Sequence, residues 1–166
     1  MTSTQTAARS DIAIDIDNLS IHFGNGEDLV KAVDQVSFKI PAKQSFGLVG
    51  ESGSGKSTIL RALAGLNTHC GGQMLLEGEA LQNERSKAFY KKVQMVFQDP
   101  YASLHPRHTI DKILAEPLAI HGLDNAEQRI SDVMEQVALP TKFRFRYPHQ
   151  LSGGQRQRVA LGRALI

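Results

Sequence analysis

One stretch of the sequence has the residue types and spacing of a phosphate-binding loop. Residues 50–58 fit the pattern of Gly, four residues and then Gly-Lys-Ser/Thr. Glycines let successive backbone N–H groups turn around an anion, and the N-terminus of a following helix adds positive potential. A lysine would reach the β- and γ-phosphates of a nucleotide, and a hydroxyl would ligate Mg²⁺. The candidate binding residues are Gly50, Ser52, Gly53, Ser54, Gly55, Lys56, Ser57 and Thr58, with Ser57 as the metal ligand.

The flanking residues predict the strand and the helix that must position such a loop. Residues 45–49 form a short, mostly apolar run that is typical of a buried strand, and residues 59–64 are predicted to be helical. Residues 93–97 are predicted to be a second buried strand, which Pro100 stops.

The remaining segments predict an antiparallel sheet followed by helices. Residues 11–17 alternate between polar and apolar, 19–23 continue that strand, and 29–40 form another after a turn at 24–28. Because the connections are short, these strands should pair antiparallel. Gly71-Gly72 is predicted to end the helical region, before a strand at 73–76 and a short helix at 85–92. Two later helices have apolar residues at helical spacing: Ile110, Ile113, Leu114, Pro117 and Leu118 in one, and Ile130, Val133, Met134 and Val137 in the other.

A second motif, Leu-Ser-Gly-Gly-Gln at residues 151–155, opens the last predicted helix, which extends to Ile166. Ser152 and Gln155 have the spacing of a capping box, which is common at helix starts. Two glycines at a helix N-terminus also make an anion site. Both interpretations remain open from the residues alone.

Composition sets further bounds on the chain. Its 166 residues suffice for one domain, and no apolar run has the length of a membrane span. Residues 1–10 lack an apolar signal region and are predicted to be a disordered tail. Cys70 is the single cysteine, which excludes an internal disulfide, and His69 beside it has no ligand partners nearby in sequence. The basic residues after Thr141 favour either nucleic acid, a nucleotide surface or a solvated face.

Residues 151–160 resemble the signature motif of ATP-binding cassette (ABC) ATPases, and residues 50–58 resemble their Walker A motif. Gln98 stands where that family has its Q-loop glutamine, and Phe23 where it has an aromatic residue that stacks on adenine. The resemblance extends from about residue 11 to the last residue. Residues 97–104 and 147–150 look like the peptide/nickel importer branch, although His105 replaces an asparagine common there.

The resemblance implies an α/β P-loop NTPase core with an N-terminal antiparallel β subdomain and a helical subdomain. It implies ATP and Mg²⁺ as cofactors and two domains that pair head to tail, so that Ser152, Gly153, Gly154 and Gln155 bind a nucleotide held by the partner. Gln98 would sense Mg²⁺ and the γ-phosphate. Phe23 is an adenine-stacking candidate, although an aromatic on an amphipathic strand is more often part of the core.

The resemblance also implies a location and partners. Transmembrane permease subunits would bind at the cytoplasmic face of the inner membrane, where the chain would be peripheral, and a substrate-binding protein would take part indirectly. Tyr101 and the basic residues near Arg144 either face those subunits or are solvated. No nucleic acid is expected as a partner under this interpretation.

The family pattern is incomplete in this sequence. The Walker B strand ending in Asp-Glu and the switch histidine are absent after the signature, so we expect the core to lack its C-terminal part and the chain alone to be inactive. The predicted divisions are a β/P-loop core at about 11–108, a helical subdomain at about 109–152 and the signature helix at 153–166. The alternatives are a nucleotide-binding fragment that cannot hydrolyse ATP, or a soluble ABC ATPase that acts on nucleic acid or ribosomes. The strand at 45–49 would lack its usual neighbours and leave an open sheet edge.

Overall fold

The computed structural model describes residues 11–24, 26–67 and 70–166. The predicted tail at 1–10, Asn25 in the predicted turn, and His69 lie outside the described residues. The chain divides into two compact units, one extending to Ser86 and the other running from Lys87 to Ile166. The finer predicted divisions near residues 108 and 152 remain a prediction.

The first unit contains a four-stranded antiparallel sheet. Its strands are β1 (Ile12–Phe23), β2 (Val30–Pro41), β3 (Cys70–Leu76) and β4 (Glu79–Ala80), in the order β2-β1-β3-β4. A 3₁₀ turn at Gly26–Asp28 lies between the first two strands. The predicted strands before residue 41 and at 73–76 are confirmed, and so is the antiparallel pairing predicted for the early strands.

The core of the first unit lies between this sheet and helix α1 (Lys56–Leu63). Ile16, Leu19 and Ile21 of β1 face this core, on both sides of an irregularity between Ile16 and Leu19. Ile59 and Ala62 are the buried residues of the helix. The helix that was predicted to follow the glycine loop is confirmed. The buried core residues are Ile16, Leu19, Ile21, Val33, Ile59, Ala62 and Met74.

The two predicted buried strands at 45–49 and 93–97 are wrong. Both segments are irregular in the described structure, and Val49 is 90% exposed. A strand persists only where a neighbour satisfies its N–H and C=O groups, and no described segment makes such a ladder with either run. An apolar run in the sequence is therefore not enough to establish a strand.

Gly71-Gly72 was predicted to end the helical region, and this was also wrong. Helix α1 ends at Leu63, and both glycines lie within β3. Gly72 has φ of +82°, and a Cβ there would lie 2.3 Å from the carbonyl oxygen of Asn18. The glycine is required by the close approach of β1 at an irregularity in the pairing.

The second unit is helical. It contains α2 (Lys87–Lys92), α3 (Pro100–Ser103), α4 (Ile110–His121), α5 (Ala126–Gln136) and α6 (Gly153–Leu165), with 3₁₀ turns at Thr141–Phe143 and Pro148–Gln150. The helices that were predicted from apolar spacing are confirmed as α4 and α5. None of the helices in the described part of the chain combines the length and the apolar character that a membrane span requires.

The core of this unit is formed by apolar faces of α4, α5 and α6. Thr109 caps α4 by accepting a hydrogen bond from the Lys112 N–H, and Gly122 ends that helix with φ of +62°. Gly162 of α6 lies beside Leu114 and Val133, so the three helices approach closely at this point. The fully buried side chains include Ile110, Ile113, Leu114, Leu118, Met134 and Val159.

Candidate functional site

The glycine loop before α1 encloses the ammonium group of Lys56. Lys56 Nζ donates to the carbonyl oxygen of Gly50 at 2.9 Å, to the carbonyl oxygen of Glu51, and to Ser54 Oγ at 3.2 Å. The loop folds this way because Gly53 and Gly55 adopt φ of +83° and +88°. The cation therefore lies within a ring of backbone, where it would meet an incoming phosphate.

Gly55 is fixed by packing as well as by its φ angle. It caps α1 in the left-handed conformation, and a Cβ there would lie 2.4 Å from the carbonyl oxygen of Ala32 and 3.2 Å from Val33 Cγ2. The absence of a side chain lets the loop rest directly on the backbone of β2. The sheet thus determines where the N-terminus of α1 points.

The donor set at the start of α1 fits a polyphosphate with its magnesium. The first helical turn carries the Lys56 ammonium and the hydroxyls of Ser57 and Thr58, with no carboxylate to repel an anion. Mg²⁺ prefers a few protein oxygens together with phosphate oxygens and water. In the described residues, no group of three or more His, Cys, Asp or Glu side chains could hold a metal ion. Ser57 as a magnesium ligand stays a prediction.

Phe23 lies at the end of β1, opposite Val30 of β2. Its side chain is 47% exposed, so it does not belong to the sheet's buried core. The alternative that this aromatic is a core residue is therefore wrong, and its stacking on adenine stays a prediction.

The signature segment begins α6 with a complete capping box. Ser152 Oγ accepts from the Gln155 N–H at 3.3 Å, and Gln155 Oε1 accepts from the Ser152 N–H at 3.0 Å. This confirms the capping interpretation, which does not exclude anion binding. Gly153 and Gly154 are exposed, and a Cβ built on either would meet nothing within 4 Å. The two glycines leave this helix start open to an approaching group.

Arg156 is a buried arginine that sequence reasoning missed. It is 6% exposed; its Nε donates to the carbonyl oxygen of Pro148 at 2.7 Å and its Nη2 to that of Leu151 at 2.6 Å. Its guanidinium lies 3.7 Å above the ring centroid of Tyr101. The signal was present in the sequence, because Arg156 shares a helical face with the apolar Val159 and Ala160.

Gln98 is exposed and directly precedes the residues that start α3. Asp99 caps this helix by accepting from the Tyr101 N–H at 2.8 Å, and Pro100 occupies its first position. Gln98 belongs to the second unit and Lys56 to the first. Its role toward Mg²⁺ and the γ-phosphate therefore stays a prediction.

The basic C-terminal segment is largely occupied by contacts within the helical unit. Arg144 pairs with Asp111 and Glu127, Arg146 lies over the Phe143 ring, and Arg158 donates to the carbonyl oxygen of Ala138. Hydrogen bonding from Arg144 lowers the pKa of Glu127, and the same pairing raises the pKa of Arg144. These arginines make contacts within the helical unit, although Arg146 and Arg158 remain exposed. The interpretation of the basic segment as a ligand surface or as a solvated face therefore stays a prediction.

His105, where the sequence departs from the importer pattern, stacks on His108 with ring centroids 3.9 Å apart. Desolvation lowers the pKa of His108, and the neighbouring His105 and Lys112 act in the same direction, against Glu116. The stack places His105 against His108, which directly precedes the Thr109 cap of α4.

The family model and the curated relatives that match this chain agree on one family. The family model described as ABC transporter matches residues 33–166. The putative oligopeptide transport ATP-binding protein YkfD of Bacillus subtilis is 45% identical over 160 residues, covering 92% of this chain and 49% of its own length. The oligopeptide transport ATP-binding protein OppF of Streptococcus pyogenes serotype M1 is 42% identical over 165 residues, with 95% and 54% covered. The chain spans about half the length of the curated relatives it matches.

Solved structures agree with the sequence matches. The dimeric post-hydrolysis structure of the ATP-binding cassette MJ0796 bound to ADP and Pi superposes with a TM-score of 0.79 at 26% identity. The match covers 92% of this chain and 68% of that one. A further structure, cbiO1 from Clostridium perfringens, described as part of an ABC transporter complex, gives a TM-score of 0.76 at 21% identity and supports the fold alone.

Proposed function

Because the chain belongs to the ABC transporter family, we propose that it is the ATP-binding part of an importer for peptides or nickel. The observation that carries this proposal is the Lys56 ammonium held inside a ring of backbone at the start of α1. Relatives named as oligopeptide transport ATP-binding proteins favour peptides as the cargo.

In this proposal the chain's residues bind and orient ATP. Lys56 turns from the carbonyl oxygen of Gly50 to the β- and γ-phosphates, and loop N–H groups take the remaining phosphate oxygens. Ser57 supplies an oxygen to Mg²⁺, which neutralises phosphate charge when it is bound. Phe23 stacks on the adenine, and Gln98 approaches the γ-phosphate and its metal.

We further propose head-to-tail pairing of two such subunits. Ser152, Gly153 and Gly154 of one copy then face the γ-phosphate held by Lys56 of the other. The open surface at both glycines supports this arrangement, since no atom of the described residues lies within 4 Å of a Cβ built at either position. The MJ0796 structure is described as dimeric. Permease subunits at the cytoplasmic face of the inner membrane complete the assembly, with a substrate-binding protein acting indirectly.

The 166 residues bind ATP but do not hydrolyse it alone in this proposal. Hydrolysis needs a carboxylate that polarises the attacking water, and the sequence after the signature contains no Asp or Glu. Met95 to Asp99 resembles such a strand end only superficially, since it has a single acid and precedes the signature.

Titration calorimetry of the purified chain with ATP and Mg²⁺ tests the nucleotide part. We expect saturable binding that Lys56→Ala weakens, while Lys31→Ala, an exposed lysine of β2, leaves it unchanged. Phosphate release should not exceed the rate of the buffer blank. Equal affinity of the Lys56→Ala and unmodified chains would refute the assignment of this loop.

Uptake by cells tests the cargo. Deletion of the gene that encodes this chain should reduce accumulation of a labelled tetrapeptide, with radioactive nickel measured in parallel. Loss of nickel uptake alone would reassign the cargo, and retention of both would contradict a role in import of either.

A further inference from the structure

Two arginines of α6 hold α3 from one side. The Arg156 guanidinium lies 3.7 Å above the Tyr101 ring, and Arg163 Nη1 donates to the carbonyl oxygen of Ser103 at 2.6 Å. The two arginines are seven residues apart, close to two helical turns, so they lie on the same face of α6. The first and the last parts of α3 are thus each tied to the signature helix.

Arg156 also holds the turn that leads into the signature. Its Nε and Nη2 donate to the carbonyl oxygens of Pro148 and Leu151, immediately before Ser152. One planar guanidinium group therefore contacts both α3 and the residues that set the position of the Ser152 cap.

We propose that Arg156 is a positioning residue that couples Tyr101 to the backbone of Ser152, Gly153 and Gly154. The coupling is a property of the helical unit itself; its consequence for nucleotide recognition rests on the function proposed above. A displacement of the Tyr101 ring moves the guanidinium, and this changes the two carbonyl contacts that fix the signature turn.

Burial makes this contact stronger than an ordinary surface stack. Tyr101 is 66% exposed, whereas Arg156 is 6% exposed. Cation–π attraction is stronger when the cation is desolvated than at exposed sites. An aromatic side chain that reaches solvent on one side thus contacts a buried cation on the other.

Nuclear magnetic resonance of the chain without nucleotide tests the coupling directly. Tyr101→Leu removes the aromatic face at an exposed position, and we expect the amide signals of Gly153 and Gly154 to shift. Tyr101→Phe keeps the face and should leave those signals in place. Hydrogen exchange should show about three- to tenfold less protection of the Leu151 and Arg156 amides in Tyr101→Leu.

A double variant separates coupling from a general loss of structure. In the Arg156→Gln background, Tyr101→Leu should no longer change the Gly153 and Gly154 signals, because the connecting side chain is gone. Arg156→Lys retains the charge but lacks the fork that reaches both carbonyls, so it should not restore the coupling. Unchanged glycine signals in Tyr101→Leu, or equal shifts in the presence and absence of Arg156, would overturn the proposal.

A nucleotide titration of the same variants keeps the two proposals distinct. Tyr101→Leu should leave the ATP affinity of the Lys56 loop unchanged, since the loop lies in the other unit. Glycine shifts in a chain that binds no ATP would uphold the coupling and refute only the proposed function. ATP binding that depends on Lys56, without glycine shifts, would refute only the coupling.

Discussion

Arg144 holds the carboxylate of Glu127 with both terminal nitrogens, Nη1 reaching Oε1 and Nη2 reaching Oε2 at 2.8 Å. The same guanidinium donates through Nε to Asp111 Oδ1 at 2.8 Å. Arg144 precedes the signature helix, Asp111 lies in the first turn of α4, and Glu127 in the first turn of α5. One cation therefore joins the starts of two helices that neighbour each other in the core.

This arrangement predicts acid sensitivity of the helical unit. Hydrogen bonding from Arg144 lowers the pKa of Glu127 below its ordinary value of 4.5. A lowered folded-state pKa means that the contribution to stability is present above pH 4.5 and is lost as the pH falls through the lower folded value. Glu127→Gln should lose that contribution at pH 7 and show a smaller further loss on acidification.

Urea unfolding of the unmodified and variant chains at pH 7 and pH 3, which lie above and below the ordinary carboxyl pKa values of about 4, measures this difference. Glu135→Gln, an exposed carboxylate on the same helix, is the matched control and should follow the unmodified chain. Parallel acid curves for Glu127→Gln and the unmodified chain would contradict a role for the pair.

The geometry of the glycine loop predicts that alanine at Gly55 destabilises the chain more than alanine at Gly53. Gly53→Ala places a side chain at φ of +83° in open space, and should cost about 1–2 kcal/mol from the left-handed conformation alone. Gly55→Ala has a similar φ but also meets the Ala32 carbonyl oxygen at 2.4 Å, which should add about 1–3 kcal/mol of overpacking. Equilibrium unfolding of both variants measures the difference, and equal losses would show that the loop does not rest on β2.

Local patterns predicted the elements that depend on their own side chains. Alternation in β1 and the apolar spacing of α4 and α5 indicate a buried face, and those elements formed. The runs at 45–49 and 93–97 are different, because a buried strand requires hydrogen bonds from another segment. The hydrophobicity of a run does not show whether the chain contains a second segment that can pair with it.

The contacts of charged residues were less predictable. Arg144 reaches Asp111 across 33 residues of sequence, a distance that no local pattern reveals. Arg156 is one of the basic residues after Thr141, which were interpreted as a surface for nucleic acid or a nucleotide or as a solvated face, yet it is buried. Its partners are two backbone carbonyl oxygens and the Tyr101 ring, and none of these is a charged residue that a sequence pattern could identify. The signature capping box, in contrast, is a local interaction and was predicted residue by residue.

Lys56→Ala should weaken ATP binding about 10- to 150-fold, because a charge-assisted contact to phosphate contributes about 1.5–3 kcal/mol. Removing this ammonium also leaves the carbonyl oxygens of Gly50 and Glu51 without their donor in the free loop. Thermal unfolding of the variant therefore has to accompany the binding measurement. Weakened binding with an unchanged unfolding midpoint would assign the effect to phosphate recognition, whereas unchanged affinity would contradict it.

The two roles of the signature turn are separable by substitution at neighbouring positions. Ser152→Ala removes the cap of α6 and should destabilise the chain by about 1 kcal/mol. Gly153→Ala keeps the cap, and its new methyl group meets no atom of the described residues within 4 Å, so stability should be unchanged or slightly higher. If Ser152, Gly153 and Gly154 face the nucleotide of a second subunit, that methyl group obstructs the approach. Gly153→Ala should then reduce ATP-dependent association in sedimentation experiments while leaving ATP binding by the monomer intact. Normal association in Gly153→Ala, together with a stability loss in Ser152→Ala, would show that this turn acts only as a helix cap.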